Sequence, residues 1–161
     1  MMTRYPHIAS SLLLVPDRDA GTVSVEKSGR LRIGYAMPDE QKARYRDAAR
    51  AAARLYLAAG ATQVIVPTSK PVFIRSEADL AAIDGLAFEP ATTPFISAHQ
   101  QGTVRFAPSP KDGAADPSGK VYGARDVYVF DSSGFPSTSS SHTMTPILTV
   151  SRYLSTRLLA S

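Results

Sequence analysis

The sequence predicts an α+β fold: an antiparallel β-meander packed with helices, followed by a terminal strand and helix. Three observations carry this expectation. Residues 9–35 hold three short β-patterned segments separated by turn residues. Residues 38–60 carry one long helical face. The run Val127-Tyr128-Val129-Phe130 precedes an amphipathic helical pattern over about 145–159. Alternation or unbroken apolar runs favour strands, and a three-to-four residue recurrence favours helix.

Ala9 to Val15 reads as a strand, and Pro16-Asp17-Arg18-Asp19-Ala20-Gly21 as the turn after it. Thr22 to Glu26 alternates, with Val23 and Val25 on one side. Lys27-Ser28-Gly29-Arg30 forms a second turn. Leu31 to Tyr35 alternates again and completes the meander. Pro38-Asp39-Glu40 opens a helix, because proline tolerates its start and acidic groups suit the first turn. Tyr45, Ala49, Ala52, Tyr56 and Ala59 recur on one face. Gly60 is the expected left-handed C-cap. Gln63 to Val66 is a short strand. Ser76-Glu77-Ala78-Asp79 starts a shorter helix and loosely imitates a capping box. Pro108, Pro110, Gly113, Pro117 and Gly119 mark residues 107–120 as a surface loop. Val127 to Phe130 fits a strand buried on both faces, as in a parallel sheet. In the last helix Ile147, Val150, Leu154 and Leu158 form the main apolar face, which Leu148 and Leu159 widen.

The 161 residues make one ordinary domain, expected to span 1–161. Within it, 8–106 form the larger part, 107–120 the loop, and 121–159 the terminal strand and helix. A hydrophobic content of 43% supports a buried core rather than disorder. There is no cysteine, which excludes disulfides, cysteine-ligated zinc and thiolate catalysis. A cytoplasmic location is expected, although lacking cysteine is compatible with reducing and oxidising compartments alike. No apolar run approaches the ~18 residues of a membrane span, so no membrane association is expected. Ile8 to Val15 is too interrupted by Ser10 and Ser11 for a signal-peptide core. The net charge of +4 is modest. Arg46, Arg50 and Arg54 lie four apart on one helix face. That row reads as a solvated face rather than a nucleic-acid patch, for no aromatic RNA-binding motif accompanies it.

Two histidines concentrate the chemistry. His99 lies in Ser97-Ala98-His99-Gln100-Gln101-Gly102-Thr103. His142 lies in Ser140-Ser141-His142-Thr143-Met144-Thr145-Pro146, just ahead of the last helix. A helix start has unpaired N–H groups and a partial positive charge. It suits an anion or a ring that becomes anionic on reduction. Thr143 and Met144 would offer backbone N–H groups there. Asp131 closes the apolar strand and either faces a ligand crevice or caps the turn Ser132-Ser133-Gly134. His7 has no supporting motif. No metal site is expected.

Taken together, these segments form an ordered set: His-x-x-Gly-Thr, a Pro/Gly loop, Tyr122-Gly123, the Val-Tyr-Val-Phe-Asp strand, Phe135-Pro136, Ser-His-x-Met-Thr and a final helix. Over Ser97 to Leu158 this resembles the C-terminal part of the glucose-methanol-choline (GMC) flavin oxidoreductases. Asp17-Arg18-Asp19-Ala20-Gly21-Thr22-Val23 and Ala58-Ala59-Gly60-Ala61 extend the likeness to roughly residues 8–159. The Ser-His-x-Met-Thr stretch looks like the branch that includes glucose oxidase, with a His-His pair where many members carry Asn-Pro. Val104-Arg105-Phe106-Ala107 departs from the Cys-Arg-Met-Gly often found in the family.

The resemblance implies an FAD cofactor and an alcohol substrate. It implies that His99 and His142 are the active-site pair, with His99 the general base. Asp131, Ser132, Thr143, Met144 and Thr145 would contact the FAD. The terminal strand and helix would complete the sheet of an FAD-binding domain. The sequence holds no Gly-x-Gly-x-x-Gly turn after a strand. The expectation is therefore an incomplete FAD site, finished by a separate FAD-domain chain or within a homo-oligomer. The alternative is an inactive fragment, or a protein-interaction module of the same origin. A nucleic-acid partner is not expected.

Overall fold

In the computed structural model, which describes residues 2–139 and 141–160, the expected α+β mixture is present as two short antiparallel sheets with helices. The chain divides into two units. One comprises Met1–Val15 and Gly21–Pro94, the other Pro16–Ala20 and Phe95–Ser161.

In the first unit, β1 (Thr22–Val25) pairs antiparallel with β2 (Leu31–Gly34), setting Val23 opposite Ile33 and Val25 opposite Leu31. Gly29, at φ +83°, permits the reversal, and its N–H donates to the Glu26 carbonyl at 2.9 Å. The third strand expected over Ala9 to Val15 does not form, so the meander is a hairpin. A strand exists through a partner's backbone, and apolar composition alone supplies none. The four residues Val23, Val25, Leu31 and Ile33 are all exposed.

Helix α1 (Asp39–Ala58) starts at Pro38 with Asp39 and Glu40 in its first turn. Its end is a Schellman motif. Gly60 sits at φ +91°, its N–H donates to the Leu57 carbonyl at 3.0 Å, and the Ala61 N–H reaches Tyr56 at 2.9 Å. The buried row is Ala49 and Ala53, with Leu57 packed against the same core; Ala59 is exposed. The face thus turns slightly from the expected one. Small alanines bring α1 against β3 (Val64–Val66) and the 3-10 helix Glu77–Gly85, which in turn packs on β4 (Val72–Ile74). Val64 pairs with Ile74 and Val66 with Val72. Ile74 and Ile83 are fully buried, joined by Leu80 and Leu86. Each such side chain contributes about 1.5–3 kcal/mol. The loose capping box is realised. The Asp79 carboxylate accepts from the Ser76 N–H at 2.9 Å, the Ser76 hydroxyl at 3.0 Å and the Arg75 N–H at 2.8 Å.

The arginine row borders this core. Arg46 donates to the Leu86 carbonyl at 3.1 Å and lies 4.8 Å over the Phe88 ring. Arg50 pairs with Asp47 and Asp84, and Arg54 Nε reaches Glu77 at 2.8 Å. The row ties α1 to the 3-10 helix and its flanks, and Arg50 and Arg54 are matched by carboxylates.

The second unit is built mostly of turns. Single bridges join Phe106 to Ala115, Ala115 to Val121, and Lys120 to Tyr128. The strand expected at Val127 to Phe130 is reduced to the last of these bridges. It is held by Val121 N–H to Val127 O (2.9 Å) and Val129 N–H to Gly119 O (2.8 Å). Val127 is 46% exposed and its three successors are half-buried. The run gains a backbone partner on one side only, so it is not sandwiched as a parallel-sheet strand would be. Helix α2 (Met144–Leu159) buries Leu154, with Ile147 and Val150 half-buried beside it.

Candidate active site

Both histidines belong to the second unit, and the structure brings them together. Their rings lie 5.4 Å apart between centroids at an interplanar angle of 88°, an edge-to-face arrangement. His99 is half-buried and His142 exposed. Neither imidazole makes a hydrogen bond among the described residues, so each ring takes its place from the backbone that carries it.

The His99 backbone belongs to a tight loop. Its N–H approaches the Ser97 hydroxyl at 3.4 Å, and Gln100 Nε2 donates to the Ser97 carbonyl at 2.7 Å. Beyond it, the N–H groups of Gly102, Val104 and Phe106 donate to the carbonyls of Ser132, Ser133 and Gly134 at 3.1, 2.8 and 2.8 Å. Ser132 also donates its hydroxyl to the Gln100 carbonyl at 3.2 Å. The turn 131–134 is therefore clamped directly to the His99 segment.

Asp131 caps that turn. Its Oδ1 accepts from the Ser133 N–H at 2.8 Å and from the Ser133 hydroxyl. These bonds, the hydroxyl's first, hold its carboxyl below the usual carboxylate range, against a smaller opposing effect of burial. Both bonds use the same oxygen, which leaves Oδ2 without a hydrogen bond among the described residues. The capping role weighed for Asp131 is thus observed, and one oxygen remains for a ligand.

His142 stands one residue ahead of Thr143, the buried N-terminal cap of α2. The Thr143 carbonyl accepts from the Ile147 N–H at 2.9 Å. Among the described residues no side chain caps this helix start. Pro146 has no N–H, so Met144 and Thr145 carry the first-turn donors, and both residues are exposed. Ser140 lies outside the described residues.

One polar group escaped the sequence reading. The Gln101 side-chain Oε1 and Nε2 are both buried without a hydrogen-bond partner among the described residues. Buried amides left unpaired cost roughly 1–3 kcal/mol each, so this side chain calls for a polar partner. A glutamine between Gln100 and Gly102 carries no sequence signal of such burial. The Gln101 amide and the first-turn N–H groups of α2 are donors and acceptors of the kind the polar edge of a flavin ring takes. Among the described residues no group of three or more His, Cys, Asp or Glu side chains could hold a metal ion. Among the described residues no helix is long and apolar enough to cross a membrane.

Comparison with known proteins identifies the family. A family model described as GMC oxidoreductase matches residues 16–151. The long-chain-alcohol oxidase FAO3 of Arabidopsis thaliana is 27% identical over 174 aligned residues, covering 99% of this chain and 22% of the relative. The long-chain-alcohol oxidase FAO4B of the same plant is 26% identical, again over 99% of this chain and 22% of the relative. An uncharacterized GMC-type oxidoreductase of Mycobacterium tuberculosis is 30% identical over 84% of this chain and 21% of its own length. The chain spans about a fifth of the length of the curated relatives it matches.

Proposed function

Because the chain belongs to the GMC oxidoreductase family, we propose that it forms the substrate-binding and catalytic part of an FAD-dependent alcohol oxidoreductase. The observation that carries this reading is the His99–His142 pair, two imidazoles from distant segments facing each other at 5.4 Å. One neutral imidazole accepts the hydroxyl proton of the alcohol. The other holds the substrate oxygen as its charge changes. We assign the proton-accepting role to His99 and the holding role to His142. When bound, FAD supplies the acceptor for the hydride that leaves the carbinol carbon. The backbone N–H groups at Met144 and Thr145 would favour negative charge on the ring edge they face. Asp131 Oδ2 and Ser132 would contact the same cofactor. The His-His branch is our finer reading, supported by the ring pair.

The remainder of the FAD site would be supplied by an FAD-binding segment. Long-chain alcohols are the first substrates to assay, since two relatives carry that name.

The test joins or mixes the chain with FAD-binding segments and measures alcohol oxidation. The His99→Ala variant is expected to lose about 10²–10⁴-fold in turnover, the usual contribution of a positioned base. Turnover unchanged by His99→Ala would overturn the assignment.

A second reading, a protein-interaction module of the same origin, is favoured by the exposed apolar hairpin side chains Val23, Val25, Leu31 and Ile33. The visible absorption spectrum of the purified chain titrated with FAD separates the two. A perturbed, saturable flavin spectrum supports the enzyme reading. No flavin binding with any FAD-binding segment supports the module.

A further inference from the structure

Among the described residues the two imidazoles make no hydrogen bonds of their own, so the backbone is what holds them in register. Three observations converge on the turn after Asp131. The first is its connection to the His99 segment. The carbonyls of Ser132, Ser133 and Gly134 take the N–H groups of Gly102, Val104 and Phe106, and the Ser132 hydroxyl bonds the Gln100 carbonyl next to His99.

The second is rigidity. Besides the two bonds from Ser133 to Asp131 Oδ1, the Gly134 N–H donates to the Asp131 carbonyl at 3.3 Å and the Phe135 N–H to Ser132 at 3.1 Å. A short turn closed by its own side-chain cap has one shape.

The third is close approach. A Cβ on Gly134 would lie 2.0–2.4 Å from three carbons of the Phe106 ring. A Cβ on Gly102, which sits at φ +79°, would meet the Phe135 carbonyl at 3.2 Å. The two segments are therefore seated at a depth that only glycine allows. His99 lies three residues before Gly102. On the other side, the chain runs from Phe135 through Thr138, whose hydroxyl is anchored to the Asp17 carbonyl at 2.7 Å, to His142.

We propose that the Asp131-capped turn, seated on the Phe106 ring through Gly134, is the positioning device that sets His99 against His142. Asp131 is then a positioning residue acting through Ser133, Ser132 and the 100–106 segment, beyond any contact with cofactor. The inference rests on reading His99 and His142 as the working pair, but its test needs neither flavin nor turnover.

The experiment is NMR on the full chain with labelled histidine, reading the nuclear Overhauser effect between the His99 and His142 ring protons. Asp131→Ala should abolish this cross-peak. Asp131→Asn, whose amide oxygen can still accept from the Ser133 N–H, should keep it. A charged ligand for cofactor would not be replaced so simply. Gly134→Ala should also abolish the cross-peak, and Gly134→Ala combined with Phe106→Ala should restore it by making room for the added methyl. If Gly134→Ala fails to fold, the double variant and Asp131→Ala carry the test. A cross-peak that survives in folded Asp131→Ala, or one lost equally in Asp131→Asn, would overturn the proposal. Absent alcohol oxidation with an intact cross-peak would instead count against the proposed activity.

Discussion

The two units of this chain are held together in opposite ways. The first rests on side chains: Ile74, Ile83, Leu80 and Leu86 fill the space beside the alanines of α1. The second has little such filling. Its buried positions are largely small, Ala107, Ala115, Gly119 and Gly134, with Thr143 and Leu154. Backbone bonds and close contact of bare glycine backbone do there what isoleucine does in the first unit. The difference teaches where each half is vulnerable. The first should suffer from lost volume, the second from added volume, and the histidine pair belongs to the second.

The largest expected effect follows from the first half of that contrast. Ile83→Ala removes a fully buried side chain and should cost about 3 kcal/mol, from lost transfer energy and the cavity left behind. Urea unfolding measures it. The ring cross-peak between His99 and His142 should persist in the folded fraction. Its loss would break the idea that the units are stabilised separately.

Next comes added volume in the second unit. Gly119 sits at φ +86°, and a Cβ there would come within 2.7 Å of the Val129 carbonyl and 2.8 Å of the Phe130 ring. Gly119→Ala should therefore cost about 2 kcal/mol, combining backbone strain with overlap. A neutral result would mean that the Val127–Phe130 segment yields easily and that the contrast is overdrawn.

The same contrast explains what could be read in the sequence. Local signals were legible: the Pro38-Asp39-Glu40 start, the Gly60 cap, the box from Ser76 to Asp79, the last helix, and the two histidine motifs. Each depends on residues within a few positions of one another. Pairing across the chain was not legible. Ala9 to Val15 has strand composition and no strand, and Val127 to Phe130 keeps one bridge where a buried strand was expected. Which backbone a segment meets is a tertiary outcome, and apolar runs do not encode it. The burial of Gln101 and the fit of Phe106 on Gly134 are of the same kind. The two histidine motifs are legible by their order, whereas the 5.4 Å separation of the rings is geometry that order alone does not contain.

Gly60→Ala sharpens the comparison at smaller scale. Gly60 has a positive φ, as Gly119 has, yet nothing lies within 4 Å of an added Cβ. The substitution should cost about 1 kcal/mol, the left-handed backbone penalty alone. The difference between Gly119→Ala and Gly60→Ala, both read by urea unfolding, then isolates the overlap with Val129 and Phe130. Equal costs would assign the second unit's sensitivity to backbone conformation rather than to close packing.

The mildest perturbation is acid, and it reaches both units. Asp79 in the first is held below its ordinary value of 3.8, chiefly by the Arg75 N–H. Asp116 and Asp131 in the second are lowered too, chiefly by the hydroxyls of Ser118 and Ser133. A carboxylate depressed in the folded state stabilises it fully above the unfolded value and loses that contribution as pH falls through the folded one. Thermal stability should therefore be flat near neutrality and decline as pH drops below about 4. Asp131→Asn should remove part of that decline, because an amide cap does not titrate. The histidine cross-peak should fade over the same acid range in the parent chain and less so in Asp131→Asn. If the two fade alike, protonation of Asp131 does not govern the turn.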